Sequence, residues 1–242
     1  HSAEIYRVMS HRCVKVIYPP HRGKLYWRTF GARKSLQDNQ IDIYHGLTQQ
    51  IPRSIRFSKV PKILSIQDLI YRKYPDLFPG EDLKSLDKQM RKACQISDHI
   101  VSISESTKRD LIQSFGINPS KISVIYPACD PRYTYQNSAD KRQSIKEKYN
   151  LPDSYLLYVG SITKRKNLLT IVKALNVLPK KERLPLVVVG ARSSYTQEVL
   201  RYVEENNLGD FLIFPKYVAT DDLPAIYQQA RLFLYTSLYE GF

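Results

Sequence analysis

Cysteine is scarce in this chain: Cys13, Cys94 and Cys129 are far apart, odd in number and outside any C-x-x-C spacing. That pattern argues against a disulfide framework and against a zinc site. Each cysteine reads as a small buried apolar residue, and a reducing cytoplasm is the expected setting. No apolar run approaches the roughly 18 residues that a membrane-crossing helix needs. The first ten residues, HSAEIYRVMS, carry neither an initiator methionine nor a signal peptide and read as the interior of a longer polypeptide. Internal repeats, low-complexity tracts and heptads are absent. Acidic residues are also in short supply, 23 against 37 Lys and Arg, for a net charge of +14. The excess lies early: residues 1–133 hold 22 basic and 12 acidic residues, and residues 1–34 hold eight against one. A basic surface of this kind attracts phosphate, on a substrate or on anionic lipid. The 18 tyrosines are scattered without an RNA-binding motif, so nucleic acid is not expected as a partner.

Short apolar runs alternate with amphipathic stretches through the 242 residues. Strands are expected at 13–18 (CVKVIY), 41–45, 62–66, 99–103 and 122–126, with helices over 25–38, 81–96 and 105–115. Residues 71–80, with Pro75 and Pro79, read as irregular. Ser104 is placed to cap the third helix and Gly116 to stop it. Residues 127–137, with Pro127 and Pro131, read as turn and linker. Beyond them, strands at 155–159, 186–189, 211–214 and 232–235 alternate with helices at 167–178, 194–206 and 222–230. Such alternation specifies parallel sheets covered on both faces. The expected fold is α/β, two Rossmann-like domains with parallel sheets facing a cleft. Their expected spans are 1–133 and 134–242.

One stretch stands out. In YLLYVGSITKRKN (155–167) an apolar strand ends at Gly160, a basic loop carries Lys164, Arg165 and Lys166, and a helix begins near Asn167. A helix N-terminus after a glycine and beside cations is how open α/β domains bind phosphate. A solvated βα loop with surface charge is the plain alternative.

Four stretches resemble glycosyltransferase family 4, retaining enzymes of the GT-B fold, over nearly the whole chain. IDIYHG (41–46) resembles the family's strand ending in His or Asn, here His45. ILSIQDL (63–69) resembles its T-I-H-D-L strand end. Residues 101–131 are similar to its segment from a Ser-Glu helix start to an Asp-Pro junction. YVGSITKRKNLLTIVKAL (158–175) and LYTSLYEGF (234–242) match its donor loop and the start of its paired-glutamate motif. The subgroup resembled is that of bacterial polysaccharide mannosyltransferases.

The resemblance implies a hexosyltransferase, with donor a GDP- or UDP-linked sugar and acceptor a saccharide or lipid-linked saccharide. It implies no cofactor and no metal: a Lys/Arg pair, here Arg165 and Lys166, neutralises the leaving diphosphate above Gly160 and Ser161. Some members place an arginine directly after that glycine, where this chain has Ser161. Glu240 is expected to face the donor sugar, with Gly241 and Phe242 lining it, and Val218 to lie near the nucleobase. Gln67 stands where members commonly carry His, and an amide cannot shuttle protons; Asp68 beside it orients the acceptor or caps a turn. By the same resemblance the first strand, the second glutamate eight residues after Glu240 and the crossover helix lie outside this sequence. Two other readings stay open: a catalytically degenerate nucleotide-sugar binder, and a sugar-nucleotide epimerase-like enzyme. A cytoplasmic protein with peripheral attachment to anionic membrane, through its basic first half, completes the expectation.

Overall fold

A strand buried on both faces must be apolar at every position, and LVVV (186–189) meets that demand with all four residues buried. A computed structural model describes residues 13–18, 26, 27 and 31–242. The chain divides into two units. The first holds described residues up to Leu69, Asp82–Tyr126 and Phe242; the second holds Ile70–Glu81 and Pro127–Gly241.

The first unit is a four-stranded parallel sheet in the order β1-β2-β3-β4: Tyr44–Gly46, Lys62–Ile66, His99–Ser102 and Ile122–Val124. Its register pairs His45 with Ile63, Leu64 with Ile100 and Val101 with Ser123. Helix α1 (Ala32–Asp38) precedes the sheet. The next helix, α2 (Ile70–Lys73), belongs to the second unit. Helix α3 (Leu83–Ile96) packs on β2, and α4 (Glu105–Phe115) packs on β3 and β4. Leu64, Ile66, Ile100 and Leu111 are wholly buried in this unit. Ser104 caps α4 by accepting the Thr107 N–H at 3.0 Å, and Gly116 ends it at φ 65°, as anticipated.

The second unit repeats the architecture in the order β7-β6-β5-β8, all parallel: Leu156–Val159 (β5), Leu186–Val189 (β6), Leu212–Ile213 (β7) and Leu232–Phe233 (β8). Alternate side chains feed two cores. Tyr158, Leu186 and Val188 pack beneath α6 (Leu168–Val177) and α7 (Tyr195–Glu205). Leu157, Val187 and Val189 pack beneath α5 (Ala139–Lys148) and α8 (Leu223–Gln229). An apolar groove of about 400 Å³ opens between α6 and the β5–β8 edge, lined by Ile171, Leu175, Leu232 and Leu234 among others.

The fold is therefore GT-B in kind, built of two Rossmann-like α/β units with parallel sheets. Several local expectations are corrected. Residues 13–18 form no strand: all six are exposed, Cys13 in a turn and 14–18 without regular structure. The run has the composition of a strand, but a strand also needs a neighbour to pair with. Most of 19–30, where the first helix was expected to begin, lies outside the described residues. Helical turns at 70–73 and 75–77 occupy much of the first half of the stretch read as irregular, 71–80. Helix α5 escaped notice because it is polar all round and buries only Ile145. Cys94 is buried, but Cys13 and Cys129 are exposed.

Two strand-end glycines set the geometry where β5 and β6 stop. A Cβ on Gly190 would lie 1.8 Å from the Gly160 carbonyl oxygen, so only glycine allows the two backbones to meet. Gly116, by contrast, has open space around it and needs glycine only for its left-handed backbone. Urea unfolding should therefore separate the two sites. Gly190→Ala is expected to cost about 3 kcal/mol or more, by overpacking against rigid backbone. Gly116→Ala is expected to cost about 1–2 kcal/mol. Equal losses would contradict the close approach at Gly190.

Candidate active site

Strand β5 ends at Gly160, and the chain then turns through a loop clamped to the end of β6. Gly160 N–H donates to the Val189 carbonyl, and Ile162 N–H to the Ala191 carbonyl, each at 2.9 Å. Ser193 Oγ donates back to the Ile162 carbonyl at 2.5 Å. Buried Tyr158 donates its hydroxyl to the Ser161 carbonyl at 3.1 Å, and burial raises that phenol's pKa. The basic segment that follows is a tight turn, with Lys166 and Asn167 N–H both donating to the Thr163 carbonyl. Asn167 takes the left-handed conformation (φ 56°) that asparagine tolerates, and α6 begins at the next residue.

The segment after β8 is laced to this turn. Leu238 N–H donates to the Arg165 carbonyl at 2.8 Å, and Thr236 Oγ1 to the Asn167 carbonyl at 3.0 Å. That lacing delivers Glu240 to the two cations. Its Oε1 accepts from Arg165 Nη1 and Lys166 Nζ, each at 2.6 Å, from Ser237 Oγ at 2.5 Å and from Tyr235 Oη at 3.0 Å. Lys166 Nζ also bonds the Tyr235 hydroxyl and sits 4.7 Å from that ring's centroid. Arg165 Nη1 further donates to the Tyr239 carbonyl at 3.2 Å. The three charged side chains are only 15–25% exposed.

Partial burial is the largest influence on the Glu240 carboxyl and opposes its ionisation. The bonds from Lys166, Ser237 and Tyr235, with the Arg165 charge, outweigh burial and pull the pKa down to about 2. Glu240 is thus an anion throughout the physiological range, unable to give a proton and well suited to accept hydrogen bonds. Two cations and one carboxylate leave one net positive charge at the mouth of a helix N-terminus, a composition that attracts phosphate. Among the described residues no three His, Cys, Asp or Glu side chains converge as a metal site would require.

Comparison with known proteins shows the family of the chain. The model for Glycosyltransferase Family 4 matches residues 2–133, more than half of the chain. The chain belongs to glycosyltransferase family 4. The model for Glycosyl transferases group 1 matches residues 140–242. This family 4 chain is 26% identical over 211 residues to O-antigen chain mannosyltransferase B of Escherichia coli, covering 86% of this chain and 54% of that protein. It is 27% identical over 180 residues to O-antigen chain mannosyltransferase RfbU of Salmonella typhimurium, covering 74% and 46%. The chain thus spans about half the length of these curated relatives. In fold it is similar to HepE of Anabaena, solved in complex with UDP-glucose: TM-score 0.72, 16% identity, 98% of this chain and 64% of that one.

Within the family 4 chain, the structure brings together Arg165, Lys166 and Glu240, with Gly160 and Ser161 at the end of the same strand. Gly241 follows, buried. Val218 packs its side chain against the core beneath α5 and α8, in a loop held where Ala219 N–H donates to Tyr149 Oη at 3.2 Å. Phe242 belongs to the first unit, its ring edge-on to Tyr126 with centroids 5.7 Å apart. Gln67 and Asp68 also lie in the first unit, just past β2. Gln67 is exposed, with its carbonyl accepting from Thr107 Oγ1 at 3.1 Å, and Asp68 is half-buried. His45 meets Ser65 Oγ at 2.8 Å through Nε2.

Tyr235 and Ser237 were not expected from sequence; only their spacing before Glu240, i−5 and i−3, hinted that they share its loop. Tyr74 and Lys73 were also missed. Tyr74 Oη donates to the Leu238 carbonyl at 3.3 Å, and Lys73 Nζ lies 4.6 Å from the Tyr239 ring centroid.

A depressed carboxyl pKa makes stability pH-dependent in a defined window. Glu240 ionises at about 2 in the fold against an ordinary value of 4.5, so its contribution is complete above 4.5 and is lost as pH falls toward 2. Glu240→Gln should cost about 1–3 kcal/mol at pH 7. Acid titration of stability should then fall less steeply for the variant than for the parent between those two pH values. Parallel curves would show that the carboxylate is not held as described.

Proposed function

We propose that this chain forms the core of a retaining, metal-independent glycosyltransferase. It moves a hexose, mannose-like or glucose-like, from a GDP- or UDP-linked donor onto a saccharide or lipid-linked acceptor in surface polysaccharide synthesis. The observation carrying this reading is the convergence of Arg165, Lys166 and Glu240 beside the N-terminus of α6. Support also comes from the O-antigen mannosyltransferases that the chain resembles and from the UDP-glucose bound by HepE.

In the transfer, the bond from the anomeric carbon to the diphosphate oxygen breaks as the acceptor oxygen bonds that carbon on the same face. The acceptor proton passes to the leaving phosphate oxygen. Negative charge grows on the diphosphate, and Arg165 and Lys166 stabilise it with charge-assisted hydrogen bonds that strengthen in the transition state. The backbone at Gly160 and Ser161 lets the diphosphate approach closely. Glu240, ionised at physiological pH, accepts hydrogen bonds from sugar hydroxyls and orients the donor, which the backbone at Gly241 and Phe242 lines; Val218 lies toward the base. Gln67 positions donor or acceptor through its amide, and Asp68 orients the acceptor hydroxyl. In the retaining mechanism that the family resemblance implies, the leaving phosphate itself serves as the base, and Gln67, an amide, serves for positioning.

A catalytically inactive binder of nucleotide sugars is a second reading, favoured by the amide at Gln67. It predicts donor binding without turnover.

Lys166→Ala should lower turnover about 10²- to 10³-fold with the fold intact by circular dichroism. Turnover equal to the parent would refute the phosphate role. Activity should persist in EDTA if the cation pair alone carries the diphosphate. The basic first half is assigned a peripheral contact with anionic lipid, so sedimentation with phosphatidylglycerol vesicles should exceed that with phosphatidylcholine and fall as salt rises. Equal sedimentation with both would remove that assignment.

A further inference from the structure

We propose that Tyr235 is a positioning residue: its phenol hydroxyl locks the Lys166 ammonium and the Glu240 carboxylate into one arrangement, so that Lys166 presents a fixed N–H to a nucleoside diphosphate. The last step of this inference rests on the phosphate reading given above; the locking itself does not.

A phenol has one proton to give and lone pairs to receive. Here the proton is directed to Glu240 Oε1 at 3.0 Å, and the oxygen accepts from Lys166 Nζ. The direct bond from Lys166 Nζ to the same Oε1, at 2.6 Å, closes a three-membered ring of contacts. A lysine side chain left alone samples many rotamers. This ammonium instead has two of its three N–H groups directed to fixed oxygens and lies over the Tyr235 ring as well. One N–H remains, and its direction is set by the other two.

The ring that does this is itself held. Tyr235 stacks on Phe233 with centroids 5.8 Å apart and planes inclined by 24°. Phe233 meets Tyr227 edge-on at 5.2 Å, and Tyr227 meets Tyr133 at 5.8 Å. A row of four aromatic rings therefore runs from Tyr133 to the cation pair of the second unit. Burial does not force these hydroxyl bonds, because Tyr235 is 41% exposed and water would satisfy its hydroxyl. A tyrosine serving only to pack would lose little if its oxygen were removed.

Tyr235→Phe keeps the ring and the stacking and deletes the oxygen, so the fold is expected to survive. In that variant the Glu240 carboxyl, followed by carbon-13 NMR, should titrate at higher pH than in the parent, having lost one donor. Calorimetric affinity for UDP or GDP should fall about threefold to tenfold, the worth of one hydrogen bond. A Glu240 titration identical to the parent's would overturn the proposal, whatever the affinity. Lys166→Ala separates this failure from failure of the phosphate reading. If Lys166→Ala leaves nucleotide affinity unchanged, the phosphate reading falls, and the Glu240 titration in Tyr235→Phe still decides whether the hydroxyl locks the pair. If Lys166→Ala abolishes binding while Tyr235→Phe binds as the parent does, the phosphate reading stands and the positioning role is refuted.

Discussion

One carboxylate oxygen ties the second unit's chemistry together. Glu240 Oε1 receives four hydrogen bonds, two from cations that lie about a third of the chain earlier in sequence. Without it, Arg165 and Lys166 would be like charges on adjacent residues, partly withdrawn from water and repelling each other. With it, the turn after β5 and the segment after β8 become one structure, sealed by backbone bonds such as that from Leu238 N–H to the Arg165 carbonyl. Removing one member of such a partly buried group exposes the unpaired charge of the others, which costs more than the lost bond itself.

The sheet makes that meeting possible. Parallel strands all deliver their C-terminal ends to the same edge, so loops following β5, β6 and β8 emerge side by side. The clash that a Cβ on Gly190 would make shows how tightly the first two are drawn together there. The first unit repeats the logic on its own: Gln67 follows β2 and Ser104 follows β3, and Ile103 N–H donates to the Ile66 carbonyl to hold those ends in register.

Much of this was legible in the residues. Runs such as LVVV and KILSI could only be sheet interiors, and Ser104 with Gly116 bracketed a helix by side-chain chemistry that acts locally. The cation pair was legible too, because strand, glycine, basic loop and helix follow one another in the chain. What escaped was decided by distant neighbours. CVKVIY has strand composition but no strand pairing in the fold. Helix α5 has no apolar stripe, since Ile145 alone reaches the core. Tyr235 looked like one tyrosine among 18, and nothing local tells that its hydroxyl meets a lysine 69 residues before it. Family likeness located Glu240, but the cage around it required the fold.

Strand β8 carries a consequence for handling the protein. Among the described residues it is an edge strand of its sheet, with β7 at the other edge, and Leu232 and Phe233 are 54% and 41% exposed. Its outer row of backbone N–H and C=O groups, flanked by apolar side chains, is a template on which another strand can add. The net charge of +14 opposes such addition by repulsion between molecules. Salt weakens that repulsion, with a Debye length shrinking from about 10 Å at 0.1 M to about 3 Å at 1 M, while leaving the apolar edge as attractive as before. In the chain as described, added salt therefore shifts the balance at this edge toward strand addition.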